Sequence, residues 1–290
     1  MQTQIAFLGT GLMGAPMVRK LLDHNFEVHV WNRTLSKAKA LVGQGAVLAA
    51  SPQNAIEDAD VVISMLSDGV ATGTLVESST PKKRSLWIDM SSTKPSEARA
   101  QYKYLANIGV AHLDAPVSGG VKGAENGSLA IMVGGDPAPF DSANAILTAM
   151  GRAVHVGPAG AGQLAKLSNQ AIVAVTIGAV AEAMMFLQEN GADPNAVRQA
   201  LKGGFADSII LQMHGQRMTE GNFVPGGLSK LQLKDLVNVM EEATGAGLTL
   251  PLVQNVFERF NRLCNEMDGG DLDHSAIFLE LAERNKLKGT

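Results

Sequence analysis

The stretch Gln4-Ile5-Ala6-Phe7-Leu8-Gly9-Thr10-Gly11-Leu12-Met13-Gly14 decides the fold. A compact apolar run ends in GxGxxG, and residues 13–24 follow with Val18, Leu21 and Leu22 on one helical face. A lone GxGxxG is a weak signal, but strand, glycine turn and helix in this order are the context the motif requires. Each glycine has a distinct task. Gly9 permits the tight turn, Gly11 lets main chain approach a pyrophosphate, and Gly14 lets the helix pack closely on the strand. The helix N-terminus then offers unpaired N–H groups and partial positive charge to phosphates. Thr10, Leu12 and Met13 complete the cofactor-binding loop.

The second strand, 26–31, ends at Trp31-Asn32-Arg33-Thr34. A site that prefers NAD usually carries a carboxylate here, roughly 20 residues past the loop, on the ribose hydroxyl. This chain has none. Arg33 is suited to pairing with a 2′-phosphate and stacking on adenine, with Asn32 and Thr34 as hydrogen-bonding partners. The expected cofactor is therefore NADP(H) in preference to NAD(H).

Strand and helix patterns then alternate. Helices are expected at 34–44 (Thr34 as N-cap), 52–57 and 95–108, and strands at 47–48, 61–66, 86–90, 111–115 and 130–134. That alternation predicts an α/β, Rossmann-type doubly wound parallel sheet covered on both faces. From Gly162 on the signal is helical: 162–190, 194–202, 208–218, 228–246, 251–267 and 275–285. We therefore expect a Rossmann domain at 1–161 and an all-helical domain at 162–290. The 162–190 helix is Ala-rich and nearly uncharged, so it is expected to be buried on most sides, in part by a second subunit in a homodimer or homotetramer. Its 171–187 segment is at the lower limit for spanning a bilayer and reads as a buried helix, so no membrane partner is expected.

Composition narrows the function. Lys plus Arg is 24 and Asp plus Glu is 28, a net charge of −4. That balance argues against nucleic acid as a partner. The single cysteine, Cys264, excludes an internal disulfide framework and suits a reducing, cytoplasmic setting. The start of the chain lacks a basic segment before its apolar run and reads as mature structure. No His/Asp/Glu group has metal-ligand spacing, so no metal is expected.

Further motifs extend the pattern. Phe7-Leu8-Gly9 through Met17 resembles the N-terminal signature of the β-hydroxyacid dehydrogenases. Met65-Leu66-Ser67-Asp68 is similar to that family's cofactor-covering loop, and Asp89-Met90-Ser91-Ser92-Thr93 to its nicotinamide-side loop. Asp114-Ala115-Pro116-Val117-Ser118-Gly119-Gly120 resembles its substrate-binding motif. Gly160-Ala161-Gly162 through Lys166 and Asn169 resembles the catalytic helix, and Leu233-Lys234-Asp235-Leu236 the segment that closes on the cofactor. The tail Asp273-His274-Ser275-Ala276 most resembles the tartronate semialdehyde reductase branch, while Trp31-Asn32-Arg33-Thr34 is more like the glyoxylate and succinic semialdehyde reductases. Those relatives carry an aromatic residue where this chain has Gly227, which is expected to widen the pocket unless Phe223 fills it. His274 is expected to be structural.

The resemblance implies a reductase of a small carboxylate-bearing semialdehyde or hydroxyacid. Tartronate semialdehyde to glycerate leads, and glyoxylate, succinic semialdehyde and 3-hydroxyisobutyrate are alternatives. A non-catalytic NADP-binding module is the rival class. The resemblance assigns Met65, Leu66, Thr93, Lys234 and Asp235 to the cofactor. Carbonyl reduction needs a hydride, a proton and stabilisation of charge on oxygen. Lys166, an ammonium with three donors on a nearly uncharged helix, fits the proton and the charge. Asn169 and Gln170, three and four residues on, share its face. Ser118, Gly119 and Gly120 form a turn whose N–H groups and hydroxyl suit a carboxylate, with Lys122 adding charge.

Overall fold

The computed structural model describes residues 3–287, so the outermost residues of both expected domains, 1–2 and 288–290, lie outside the described residues. Strand β1 (Gln4–Leu8) shows why the sheet is covered twice. Ile5 and Phe7 join one core, with Met17, Val18 and Leu21 of α1 (Gly14–Asp23) and Ile146 and Leu147 of α7 (Pro137–Met150). Ala6 and Leu8 join the other, with Ile56 of α3 (Pro52–Ile56), Val76 of α4 (Gly69–Ser78) and Leu105 of α5 (Pro95–Asn107). Alternate side chains of one strand thus serve opposite layers.

The sheet adds β2 (Glu27–Trp31), β3 (Val47–Leu48), β4 (Val61–Ser64), β5 (Leu86–Asp89) and β6 (Ala111–Asp114), all parallel in the order β3-β2-β1-β4-β5-β6. This is the doubly wound order whose crevice lies beyond the strands' carboxyl ends. Register aligns those ends: Leu8 with Trp31 and Ser64, Ser64 with Asp89, and Asp89 with Asp114. Strands β7 (Val117–Ser118), β8 (Leu129–Gly135) and β9 (Gly151–Gly157) extend the sheet, β8 running antiparallel to β6 and β7 and parallel to β9. The sequence pattern missed β7, β9, α4, α7 and α6 (Gly120–Asn126). The expected helix at 34–44 is α2 (Leu35–Lys39) followed by a 3-10 turn, Val42–Gln44, ended by Gly45 at φ 103°. Thr34 occupies the N-cap position without a side-chain cap bond.

Two compact units divide at Lys166/Leu167. Helix α8 (Ala161–Glu189) runs through that division. The second unit adds α9 (Pro194–Ala200), α10 (Ile209–Glu220), α11 (Ser229–Gly245), α12 (Pro251–Asn265) and α13 (Ile277–Arg284). Ala174, Ile177, Ala181 and Met184 of α8 pack with Leu236, Phe260 and Ile277. Within one chain α8 is buried on one side. Only 39% of its most apolar window is buried, because helical spacing puts that set on one face; Ile172 and Phe186 lie exposed on another.

Glu280, fully buried, ties α12 to α13: it accepts from Arg259 Nε (2.9 Å), Arg262 Nη1 (3.2 Å) and Arg284 Nη2 (2.8 Å). Burial opposes its charge, yet the hydrogen bonds from Arg259 and Arg284 hold its carboxyl below the usual range. Glu280→Ala leaves the buried Arg259 with the exposed Glu182 (3.0 Å) as its remaining acid partner and is expected to cost up to about 3–5 kcal/mol in urea unfolding. A loss under about 1 kcal/mol, the range of exposed pairs, would contradict this.

Candidate functional site

The glycine loop is built by clearances. Gly9, at φ 100°, has no room for a Cβ: the Met65 carbonyl oxygen would lie 2.3 Å away. At Gly14 a Cβ would meet the Gly9 carbonyl oxygen at 1.9 Å. At Gly11 a Cβ would meet nothing within 4 Å. The protein's own packing does not demand glycine there, whereas a ligand's pyrophosphate does. Helix α1 starts without a side-chain cap and with no acid in its first turn, so its N–H groups remain for an anion. Thr10 Oγ1 is buried with no partner among the described residues. These features fit a dinucleotide.

Asn32 ties two segments of the cofactor edge together. Its Oδ1 accepts from Thr10 N–H (3.0 Å) and its Nδ2 donates to the Thr34 carbonyl (3.0 Å), tying the glycine loop to the end of β2. Arg33 and Thr34 are exposed beside it, as is Leu12 in the loop; Met13 is half-buried.

The loops after β4 and β5 are stitched together. Leu66 N–H donates to Ser91 Oγ (2.9 Å), and Ser64 Oγ (2.8 Å) and Ser91 N–H (3.2 Å) donate to Asp89 Oδ1. Asp89 Oδ2 and Thr93 Oγ1 are buried and unpartnered among the described residues. Burial pushes the Asp89 carboxyl up to about 6, against the Ser91 and Ser64 hydrogen bonds.

Asp114 and Gln163 join these loops to α8. Asp114 Oδ1 accepts from Gly160 N–H (2.7 Å) and Oδ2 from Gln163 N–H (2.9 Å). A carboxylate from another strand thereby caps α8 where the helix leaves its N–H groups unpaired. Burial raises the Asp114 carboxyl and the N–H bonds oppose that. Gln163 is fully buried; its Nε2 donates to the Ser91 carbonyl (2.8 Å) and its Oε1 accepts from Thr93 N–H (3.1 Å). Lys166 follows one turn later, half-buried. Ser118 is half-buried, and Gly119 (φ 134°), Gly120 (φ 60°) and Lys122 are exposed, with open space where a Gly120 Cβ would point.

In the helical unit, Asn169 Nδ2 donates to Gln170 Oε1 (2.9 Å) and Gln170 Nε2 to Asp235 Oδ2 (2.7 Å). Lys234 Nζ lies 3.8 Å from Asp235 Oδ1. Gln170 is therefore held by its neighbours at both ends of its carboxamide. Asp273 organises the segment before α11, accepting from Gly226 and Gly227 N–H and from Ser275 N–H and Oγ. His214, Asp273 and His274 bring their ligand atoms within 4.8 Å of one another, close enough for a metal. The Asp273 oxygens are already taken up by donors and Arg217 stands 3.8 Å away, so the group reads as structural. Beside Gly227 stands the His274 ring, 3.1 Å from where a Cβ would sit.

The sequence reading missed Asp89, Ser91 and Gln163 as site-building groups. The signal was there: Leu86-Trp87-Ile88-Asp89 and Ala111-His112-Leu113-Asp114 each end a buried strand on an acid. A buried acid needs a donor, and loops or helix N-termini supply them.

Residues 4–157 match the model of the NAD binding domain of 6-phosphogluconate dehydrogenase, and 160–281 that described as NAD-binding of NADP-dependent 3-hydroxyisobutyrate dehydrogenase. A 2-hydroxy-3-oxopropionate reductase of Escherichia coli is 39% identical over 98% of this chain and 99% of its own. An NAD-dependent L-serine dehydrogenase of Pseudomonas aeruginosa is 34% identical, covering 86% and 88%. The structure of a Mycobacterium tuberculosis 3-hydroxyisobutyrate dehydrogenase with L-serine aligns at a TM-score of 0.89, with 32% identity over 97% and 99%.

The buried Asp89 carboxyl gives a test by pH. Its folded value lies above the ordinary 3.8. Its contribution is thus most favourable below the unfolded value and is lost as pH rises through about 6. Asp89→Asn is expected to gain stability on the order of 2 kcal/mol at neutral pH. That gain should fade toward pH 4 in urea titrations; an equal difference at both pH values would contradict the assignment.

Proposed function

Since the chain belongs to the β-hydroxyacid dehydrogenase family, NAD(P)-binding oxidoreductases acting on CH–OH groups, we propose that it reduces tartronate semialdehyde (2-hydroxy-3-oxopropionate) to glycerate with NADPH. The observation that carries the reaction type is Lys166, one turn along a helix whose start is fixed to the cofactor-side loops. The choice of substrate within the family is supported by the full-length likeness to the 2-hydroxy-3-oxopropionate reductase. Glycerate, L-serine and 3-hydroxyisobutyrate, the compounds behind the relatives' names, share a 3-hydroxypropanoate skeleton and differ only at C2. The substrate class is a C2-substituted three-carbon acid oxidised or reduced at C3.

A bound NADPH supplies the hydride to the carbonyl carbon. The chain does the rest. Lys166 directs an ammonium proton at the carbonyl oxygen, stabilises the charge that grows there, and releases the proton as the alcohol forms. Ser118 Oγ and the N–H groups of Gly119 and Gly120 hold the substrate carboxylate, with Lys122 adding positive charge. Asn169 bonds a substrate hydroxyl, Gln170 orients it, and Lys234 and Asp235 serve the cofactor. Gly9 to Gly14 and the α1 N-terminus take the pyrophosphate. Arg33 selects the 2′-phosphate. The exposed apolar side chains of the helical unit (Ile172, Phe186, Phe205, Ile209, Met213) support a homodimer or homotetramer.

Initial rates of NADPH and NADH oxidation with tartronate semialdehyde test the chemistry. Lys166→Ala is expected to lose about 10²–10⁴ in kcat. Arg33→Ala should lower the NADPH-over-NADH preference by about 10-fold or more, the worth of a charge-assisted pair. Full activity in Lys166→Ala would remove the proton donor, and faster turnover with NADH in the wild type would reverse the cofactor choice. Sedimentation velocity checks the assembly: a dimer or tetramer is expected, and monomer alone at micromolar concentration would contradict it.

A further inference from the structure

Gln163 reaches from α8 to the main chain of the loop after β5 at two points: it donates to the Ser91 carbonyl and accepts from Thr93 N–H. Both groups are main-chain atoms of a buried loop and need partners. A carboxamide, with donor and acceptor side by side, satisfies the two together. The side chain is fully buried, so water does not substitute for it. Its own N–H is fixed independently by Asp114 (2.9 Å), so main chain and side chain of one residue are held by the ends of adjacent strands β5 and β6.

Lys166 lies three residues on, about 4.5 Å along the axis and on the same face. A helix turn is stiff, so the Gln163 carboxamide sets how far the lysine's helix stands from the Ser91–Thr93 loop. We propose that Gln163 is a positioning residue of the reaction: it fixes the separation between the proton donor's helix and the loop beside the nicotinamide. The proposal rests on Lys166 as proton donor. It implies that losing the bridge disturbs the chemical step more than cofactor binding. The glycine loop is held by other contacts, Asn32 to Thr10 N–H and Gly9 N–H to the Trp31 carbonyl.

The test compares wild type, Lys166→Ala, Gln163→Met and Gln163→Glu on tartronate semialdehyde or on 3-hydroxyisobutyrate, whichever the wild type turns over faster. The readouts are kcat, KM, NADPH affinity by fluorescence, and the primary isotope effect with cofactor deuterated at the transferred position. Gln163→Met removes both hydrogen bonds at similar volume. It should lose about 10–100-fold in kcat, the range for misplacing a reacting group by about 1 Å. NADPH affinity should stay within about twofold, with the isotope effect enlarged as chemistry becomes limiting.

Gln163→Glu separates positioning from folding. A neutral carboxylic acid presents the same acceptor and donor as the carboxamide, whereas the carboxylate cannot donate to the Ser91 carbonyl. Its activity should climb toward wild type as pH falls, a limb absent from Gln163→Met. Wild-type kcat and isotope effect in Gln163→Met, or a Gln163→Glu profile parallel to wild type, would overturn the proposal while leaving Lys166 in place. Turnover that survives Lys166→Ala would overturn both. If Gln163→Met fails to fold, the Gln163→Glu profile decides.

Discussion

The carboxylate of Asp114 accepts the N–H groups of Gly160 and Gln163, and much of the site depends on that contact. It converts the start of a 29-residue helix into a fixture of the sheet's carboxyl edge. The space around it is filled by backbone. A Cβ on Gly134 would approach Asp114 Oδ1 to 2.6 Å, and one on Gly162 would meet the Asp114 carbonyl oxygen at 2.3 Å. Burying an anion is costly. Here unpaired helix N–H groups and the helix dipole offset the cost, and the same N–H groups would otherwise stand unsatisfied. Two deficits cancel, and the helix position is the product.

Asp89 beside it is less well compensated. One oxygen takes Ser64 and Ser91, while the other has no partner among the described residues. Two buried acids on adjacent strands repel as well, which adds to the rise of the Asp89 carboxyl. The arrangement gives up stability at the strand ends where three loops must meet: the glycine loop, the Met65–Leu66 turn and the Ser91–Thr93 turn. Sites that hold ligands commonly carry such local cost. The helical unit follows the opposite logic. Its buried acids, Glu280 with three arginines and Asp273 with its N–H and O–H donors, each take several donors and tie segments together.

Much of this was legible in the sequence because the forces are local. The first strand, the glycine loop and the first helix follow from apolar periodicity and from glycine's freedom at Gly9. The switch to a helical second half follows from the loss of strand patterns after Gly157. The family motifs place Lys166 and Asn169 on one helix. What was missed depends on partners distant in sequence. β7 is two residues long and β9 is an edge strand with Arg152, Val154 and Val156 exposed, so neither shows a buried-strand run. The role of the Asn32 carboxamide in tying the glycine loop to the end of β2 shows only once Thr10 N–H is folded against it. Gln163 reads as an ordinary helical polar residue until a loop some 70 residues earlier is folded against it. The one-sided burial of α8 is invisible in composition, because an Ala-rich helix looks alike whether a core or a second copy covers its far side.

Native-state hydrogen exchange on the cofactor-free protein measures the Asp114–Gln163 fixture directly. The N–H groups of Gly160, Gln163 and Thr93 are accepted by buried side chains, so each should exchange only with global unfolding of the first unit, at the rate of the core strands. Exchange of these three amides at loop rates, or protection that arises only after NADPH is added, would mean that the cofactor and not the chain's own hydrogen bonds holds the helix of Lys166 in place.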